Sequence, residues 1–203
     1  MKKNKFIKLL KDIWHFIWVE DSFASWVVNI ILAFVLIKFV VYPTMGLIFG
    51  TKFPIVAVVS SSMEHDQKFD VWWGIHEKFY LEKNITKEQF SNFRFKNGFN
   101  KGDLMVLFGS TAEKIKVGDV IVYKAGKPDP IIHRVVQKNK KDNLIIFQTK
   151  GDRNLAQIKE SWLDETYIPE NQVIGKAVLR IPYLGWVKIM FVDMLKLIGI
   201  VTN

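Results

Sequence analysis

Residues 23–42, FASWVVNIILAFVLIKFVVY, constrain this chain more than any other stretch: of twenty residues only Asn29 and Lys38 are strongly polar. Twenty helical residues rise about 30 Å, the thickness of a bilayer's hydrocarbon core. The stretch therefore reads as a transmembrane anchor, residues 22–43, with Pro43 disfavouring helix at Tyr42 and marking its end. Lys38 lies close enough to that end to reach the headgroups. A cleaved signal peptide would have a shorter apolar run and a small-residue cleavage site, and Thr44, Met45 and Gly46 make a poor one. Ahead of the anchor, residues 1–21 carry Lys2, Lys3, Lys5, Lys8 and Lys11 among Phe6, Leu9, Leu10, Ile13, Trp14, Ile17 and Trp18. That spacing is a basic amphipathic helix suited to a membrane interface. The positive-inside rule puts it in the cytoplasm and everything after Pro43 outside.

The remaining chain suits one domain of ordinary size, residues 51–182, with accessories. The formal net charge of +9 would fit nucleic acid or an anionic membrane surface. The basic residues are scattered apart from the N-terminal cluster, with no Arg-rich or aromatic-interleaved strip, which argues against nucleic acid. There is no cysteine, so disulfides and thiolate metal sites are excluded, and four histidines without close pairing argue against zinc. No metal and no cofactor is expected.

After the anchor, the β-branched run 55–59, IVAVV, reads as a buried strand that stops at Ser60, Ser61 and Ser62, with Met63 and His65 following. A strand that ends on a serine can hold a nucleophile rigidly at a cleft. Residues 66–100 are polar and aromatic, unlike their flanks, and read as a small helical insertion with its own aromatic core; the alternative is a lid or partner-contact element. Thr86 followed by Gln89 marks a capping-box helix start there. From Lys101 onward Gly-Asp turns separate β-rich runs at 104–108, 120–123, 131–136, 143–149 and 173–181. Short strands with almost no helix among them argue for a mainly β domain, a sandwich or barrel. Residues 183–201 are apolar, with Lys188, Asp193 and Lys196 within one arc, as in a helix lying in an interface; a second membrane span is the alternative.

A serine nucleophile needs a base, and the base needs a neighbour to orient it. His15 precedes the anchor, His65 sits three residues from Ser62, His76 lies in the insertion, and only His133 is built into a strand.

The segment 60–65, SSSMEH, resembles the S-x-S-M-x-[PH] nucleophile box of the type I signal peptidases. Residues 118–123, GDVIVY, and 130–136, PIIHRVV, resemble the next two boxes, and 149–154, TKGDRN, resembles the T-K-G-D-x-N box. Residues 175–178, GKAV, and 181–186, IPYLGW, are similar to the closing strand of archaeal members. The likeness spans roughly residues 25–190 in box order. His133-Arg134 stands where the bacterial branch has its lysine base, so the chain is similar to the archaeal and endoplasmic-reticulum, Ser-His, branch. The resemblance implies a signal-peptidase-like β domain in which Ser62 is the nucleophile and His133 the general base, with the Ser60 hydroxyl and Ser62 amide forming the oxyanion hole.

Two features depart from the pattern. The insertion 66–100 has no counterpart in compact members. The endoplasmic-reticulum enzymes have an aspartate pair where this chain has Gln157 and Ile158, leaving Asp152, Glu160 or Asp164 as the orienting acid. Asp152 is the expected one, because it stands in the matching box at a strand end. The implied substrate is a secretory preprotein with small residues at −1 and −3, bound as an added strand at the outer face of the cell membrane. Membrane lipid is a further implied partner, with room for a translocon or accessory subunits. A Ser-Lys regulatory peptidase is disfavoured because no lysine takes the place of His133, and a non-catalytic anchored β module or inactive relative is the remaining alternative.

Overall fold

The computed structural model describes residues 2–141, 144–197 and 199. Met1 and Asn143, and residues 198, 200 and 201 of the C-terminal segment, therefore lie outside the described residues. The chain divides into two compact units, Met1–Ile48 and Phe49–Asn203.

In the first unit, α1 (Lys2–Trp18) is followed by α2 (Phe23–Leu36). Ser22 caps α2, accepting from the Ser25 N–H at 3.2 Å. The last carbonyls of a helix have no partner within it, and polar residues of α2 supply two for α1. The Ser25 hydroxyl donates to Phe16 O at 2.6 Å and the Asn29 amide to Ile17 O at 2.9 Å. Asn29, the odd polar residue of the apolar run, is thus accounted for by a local bond.

The helix does not end at Tyr42 as expected. A π-helical turn over Ile37–Val41 leads into α3 (Tyr42–Phe49), and the Tyr42 N–H reaches back to Ile37 O. Proline lacks an N–H and disturbs the preceding helical ladder, and a widened turn just ahead of it lets the helix continue through Pro43. Phe23–Phe49 is consequently 27 residues, with an 18-residue stretch of mean hydropathy 2.3, long and apolar enough to cross a membrane.

The second unit is a mainly β domain built on a seven-stranded antiparallel sheet in the order β1-β2-β9-β3-β4-β5-β8. Its strands are β1 (Ile55–Ala57), β2 (Leu104–Phe108), β3 (Val120–Tyr123), β4 (Ile131–Lys141), β5 (Leu144–Lys150), β8 (Ile168–Pro169) and β9 (Val173–Ile181). A two-stranded hairpin, β6 (Lys159–Glu160) with β7 (Leu163–Asp164), stands apart from it. β3 is buried on both faces: Val120 and Val122 pack with Val58, Met63 and Met105, whereas Ile121 and Tyr123 pack with Val135, Phe147 and Leu163. That two-sided burial explains why its sequence is continuously apolar rather than alternating.

The inserted segment carries α4 (Phe69–Glu82) and α5 (Lys87–Ser91). The capping box closes: Thr86 Oγ1 accepts from Gln89 N at 3.2 Å, and the Gln89 side chain accepts from Thr86 N at 2.9 Å. Its aromatic core of Trp72, Trp73, Tyr80 and Phe90 is not self-contained, since Val136 of β4 is part of it. After β9, α6 (Gly185–Leu197) buries Ile189 and exposes Val187, Met190, Phe191 and Met194.

Candidate active site

β1 delivers the serines. Val58 continues its apolar run, donating to Asp103 O and accepting from Gly102 N, both at 2.8 Å. Ser60, Ser61 and Ser62 then stand in a turn beyond the strand, and Met63 drops back into the core with no exposed surface. His133 lies on β4 opposite Ile121 and is 3% exposed.

Ser62 Oγ is 2.9 Å from His133 Nε2, and His133 Nδ1 is 2.5 Å from Glu165 Oε1. A carboxylate only accepts, so the imidazole proton sits on Nδ1 and Nε2 offers its lone pair to the Ser62 hydroxyl. The Ser60 hydroxyl is 3.1 Å from Ser62 Oγ. With Ser62's own proton directed at His133, Ser60 is the donor of that pair.

Glu165 follows β7 and is wholly buried. Its Oε2 accepts from Ile158 N at 2.6 Å, and its Oε1 accepts from the Thr149 hydroxyl at 3.3 Å. Tyr123 in turn donates to Thr149 Oγ1 at 2.8 Å. Burial, reinforced by the Glu165 charge, pushes the Tyr123 phenol far up, so it remains a donor. Backbone bonds between Thr149 and Glu165 and between Glu165 and Ile158, each 2.9 Å, fix the main chain as well.

Asp152 is not the carboxylate beside His133, and the reason is strand geometry. Neighbouring residues on a strand point to opposite faces; His133 faces Glu165, and Arg134 faces the insertion. Asp152 serves Arg134: Oδ1 accepts from Nε at 2.8 Å and Oδ2 from Nη2 at 2.6 Å. His65 Nε2 donates to Oδ2 at 3.1 Å and the Tyr80 hydroxyl to Oδ1 at 3.3 Å. Burial alone would raise the Asp152 carboxyl, but the charge and hydrogen bonds of Arg134, with those of His65, hold it well below the usual carboxylate range. Of the other two candidate acids, Glu160 accepts from Trp162 Nε1 at 2.7 Å, and Asp164 accepts from the Thr166 amide and hydroxyl. Neither touches His133. A sequence signal for Glu165 did exist: it stands two residues after Leu163, on the face that alternation buries, with Asp164 between them on the other.

The 150–154 turn joins the two halves of the site. Arg153 N donates to Ser62 O at 2.9 Å. The Lys150 ammonium, also fully buried, donates to the carbonyls of Gly151 and Asn154 at 3.0 and 2.5 Å rather than to Ser62. Burial lowers Lys150 to about 8. A Cβ on Gly151 would lie 2.9 Å from both His133 Nε2 and Ser62 O, so any larger residue would force them to shift.

No family model matches the chain. Similarity to individual proteins is clear. It is 37% identical over 95 residues to the signal peptidase complex catalytic subunit SEC11 of Pyricularia oryzae, covering 45% of this chain and 55% of that one. Against SEC11C of Homo sapiens the identity is 35% over 98 residues, 47% and 51% of the two chains. Against sec11 of Neurospora crassa it is 34% over 113 residues, 51% and 66%. The chain thus spans about half the length of the first two relatives and somewhat more of the third. Over that stretch it is a homologue of the catalytic subunits of the signal peptidase complex.

Proposed function

We propose that this chain is a membrane-anchored serine endopeptidase that removes signal peptides from secretory preproteins, with Ser62 as nucleophile, His133 as general base and Glu165 as the residue that orients it. The observation that carries this reading is the unbroken line from Ser62 Oγ through both His133 nitrogens to Glu165. His133 Nε2 takes the Ser62 proton as Oγ attacks the scissile carbonyl, then returns it to the departing amine; water repeats the cycle on the acyl-enzyme. The Nδ1–H to Glu165 bond keeps Nε2 free to accept and stabilises the imidazolium. The Ser60 hydroxyl and the Ser62 amide are the oxyanion donors, and a donor of this kind is typically worth about 3 kcal/mol.

The substrate runs as an added strand along the sheet edge that β1 forms, with small side chains at −1 and −3. Phe23–Phe49 crosses the membrane with residues 1–21 in the cytoplasm, and α6 rests its exposed apolar face in the interface, so the site meets precursors at the outer face. Further subunits act with it, as the names of its relatives suggest. The test is cleavage of a preprotein by the purified full chain in detergent. Ser62→Ala and His133→Ala should each remove most of the rate, on the order of a thousandfold or more, while Ser61→Ala retains it. Normal cleavage by Ser62→Ala would end this assignment.

A further inference from the structure

We propose that the inserted segment, residues 66–100, is a positioning element for the Ser62–His133 pair and acts on it through Asp152; the proposal rests on the reading of that pair as nucleophile and base. Apart from Lys150 Nζ, which donates to the Asp152 main-chain carbonyl at 3.4 Å, the groups that hold Asp152 belong to three pieces of chain. Met63 Sδ accepts from Asp152 N at 3.4 Å, and Met63 adjoins Ser62. Arg134, which adjoins His133, grips the carboxylate with two donors. Tyr80 reaches it from α4. One buried carboxylate therefore ties the neighbour of the nucleophile, the neighbour of the base and the insertion together.

The insertion holds the same region by independent contacts. Arg134 uses all five of its N–H donors, and two go to the insertion's carbonyls, Arg94 O at 3.0 Å and Phe95 O at 2.8 Å. The His65 ring stacks on Trp72 with centroids 3.8 Å apart and planes 7° from parallel. Trp72 is stacked in turn against His76, whose Nε2 lies 3.3 Å from Arg153 O. α4 thus grips both His65 and the residue after Asp152. The end of the insertion closes onto the nucleophile segment, with Phe99 N donating to Met63 O at 3.1 Å. Gly98, at φ +67°, packs so tightly there that a Cβ would come within 2.3 Å of Met63 O. A segment merely tethered at its ends has no reason to place its buried polar contacts on the residues that flank Ser62 and His133.

The experiment measures the rate at which a fluorophosphonate probe modifies Ser62 in the detergent-solubilised full chain, beside the melting temperature. Probe chemistry reads nucleophile activation without any preprotein, and if the native chain leaves Ser62 unmodified the parent reading has failed rather than this one. Tyr80→Phe keeps the ring and deletes only the hydroxyl on Asp152. It should slow modification about tenfold or more, the cost of a misplaced reacting pair, at a temperature where it remains folded. Ile85→Val, in the same aromatic core but touching neither Asp152 nor Arg134, should lower the melting temperature and leave the rate unchanged. The proposal is overturned if Tyr80→Phe reacts like the native chain, or if the two variants lose rate in proportion to their loss of melting temperature.

Discussion

Replacing Asp152 by asparagine should cost mainly stability, beside a slowing of the Ser62–His133 pair of about tenfold or more. Arg134 is wholly buried and divides its donors between Asp152 and the carbonyls of Arg94, Phe95 and Gly118, at 2.6 to 3.0 Å. Asparagine keeps one acceptor but turns an amide N–H toward a guanidinium donor and leaves the charge uncompensated. Breaking a buried pair in this way costs about 3–5 kcal/mol, against a domain stability of roughly 5–15 kcal/mol. For a domain of this size that is a fall in melting temperature of roughly 6–20 °C. Removing both partners is no remedy, because three carbonyls would then lose their donors.

The pH dependence follows from the depressed Asp152 carboxyl. Between the ordinary carboxylate value of about 4 and the lower folded value, the unfolded chain binds the extra proton. This contribution to stability is therefore complete above about pH 4 and is lost as the pH falls below it. Urea midpoints between pH 5 and pH 2.5 should drop steeply in the native chain and more shallowly in Asp152→Asn. Glu165→Gln should show the reverse balance: an amide no longer fixes the His133 tautomer, and the rate of preprotein cleavage should fall about ten-thousandfold, well beyond the loss in Asp152→Asn, with a smaller loss of melting temperature. If Asp152→Asn abolishes cleavage while melting normally, and Glu165→Gln cleaves normally, the assignment of the two acids is reversed and the reasoning fails.

Two further outcomes are expected. Gly151→Ala should fold but cleave about a hundredfold more slowly, because its methyl would press on His133 Nε2 and Ser62 O; a normal rate would mean that this contact does not set their spacing. Since the chain has no cysteine, a single cysteine at Ser110 should react with an impermeant maleimide on intact cells and one at Lys11 should not, and the reverse pattern would invert the proposed topology.

The parts of the fold legible in the sequence are those specified locally. The apolar run of α2, the capping box at Thr86 and the five longer strands each declare themselves within a dozen residues. Pro43 misled because the rule for the residue before proline describes an ordinary α-helical ladder, and the π turn at Ile37–Val41 changes that ladder. The insertion's aromatic density correctly signalled a small core, but nothing local could say that Val136, some fifty residues on, would complete it.

The acid beside His133 escaped for a different reason. His133-Arg134 on a strand requires two carboxylates rather than one. Adjacent strand residues face opposite sides of a sheet, so one acid cannot serve both. A buried guanidinium must have its own, since an isolated charge taken out of water is far costlier than a paired one. Asp152, in the turn directly after β5, is placed for the Arg134 face, as the pairing of Arg134 with Lys150 makes clear. The His133 face then needs an acid that arrives from beyond that turn with its side chain directed inward. Among Glu160, Asp164 and Glu165, only Glu165 is buried, two residues on from buried Leu163. Strand parity and the charge of Arg134, taken together, lead to Glu165, whereas box position alone led to Asp152.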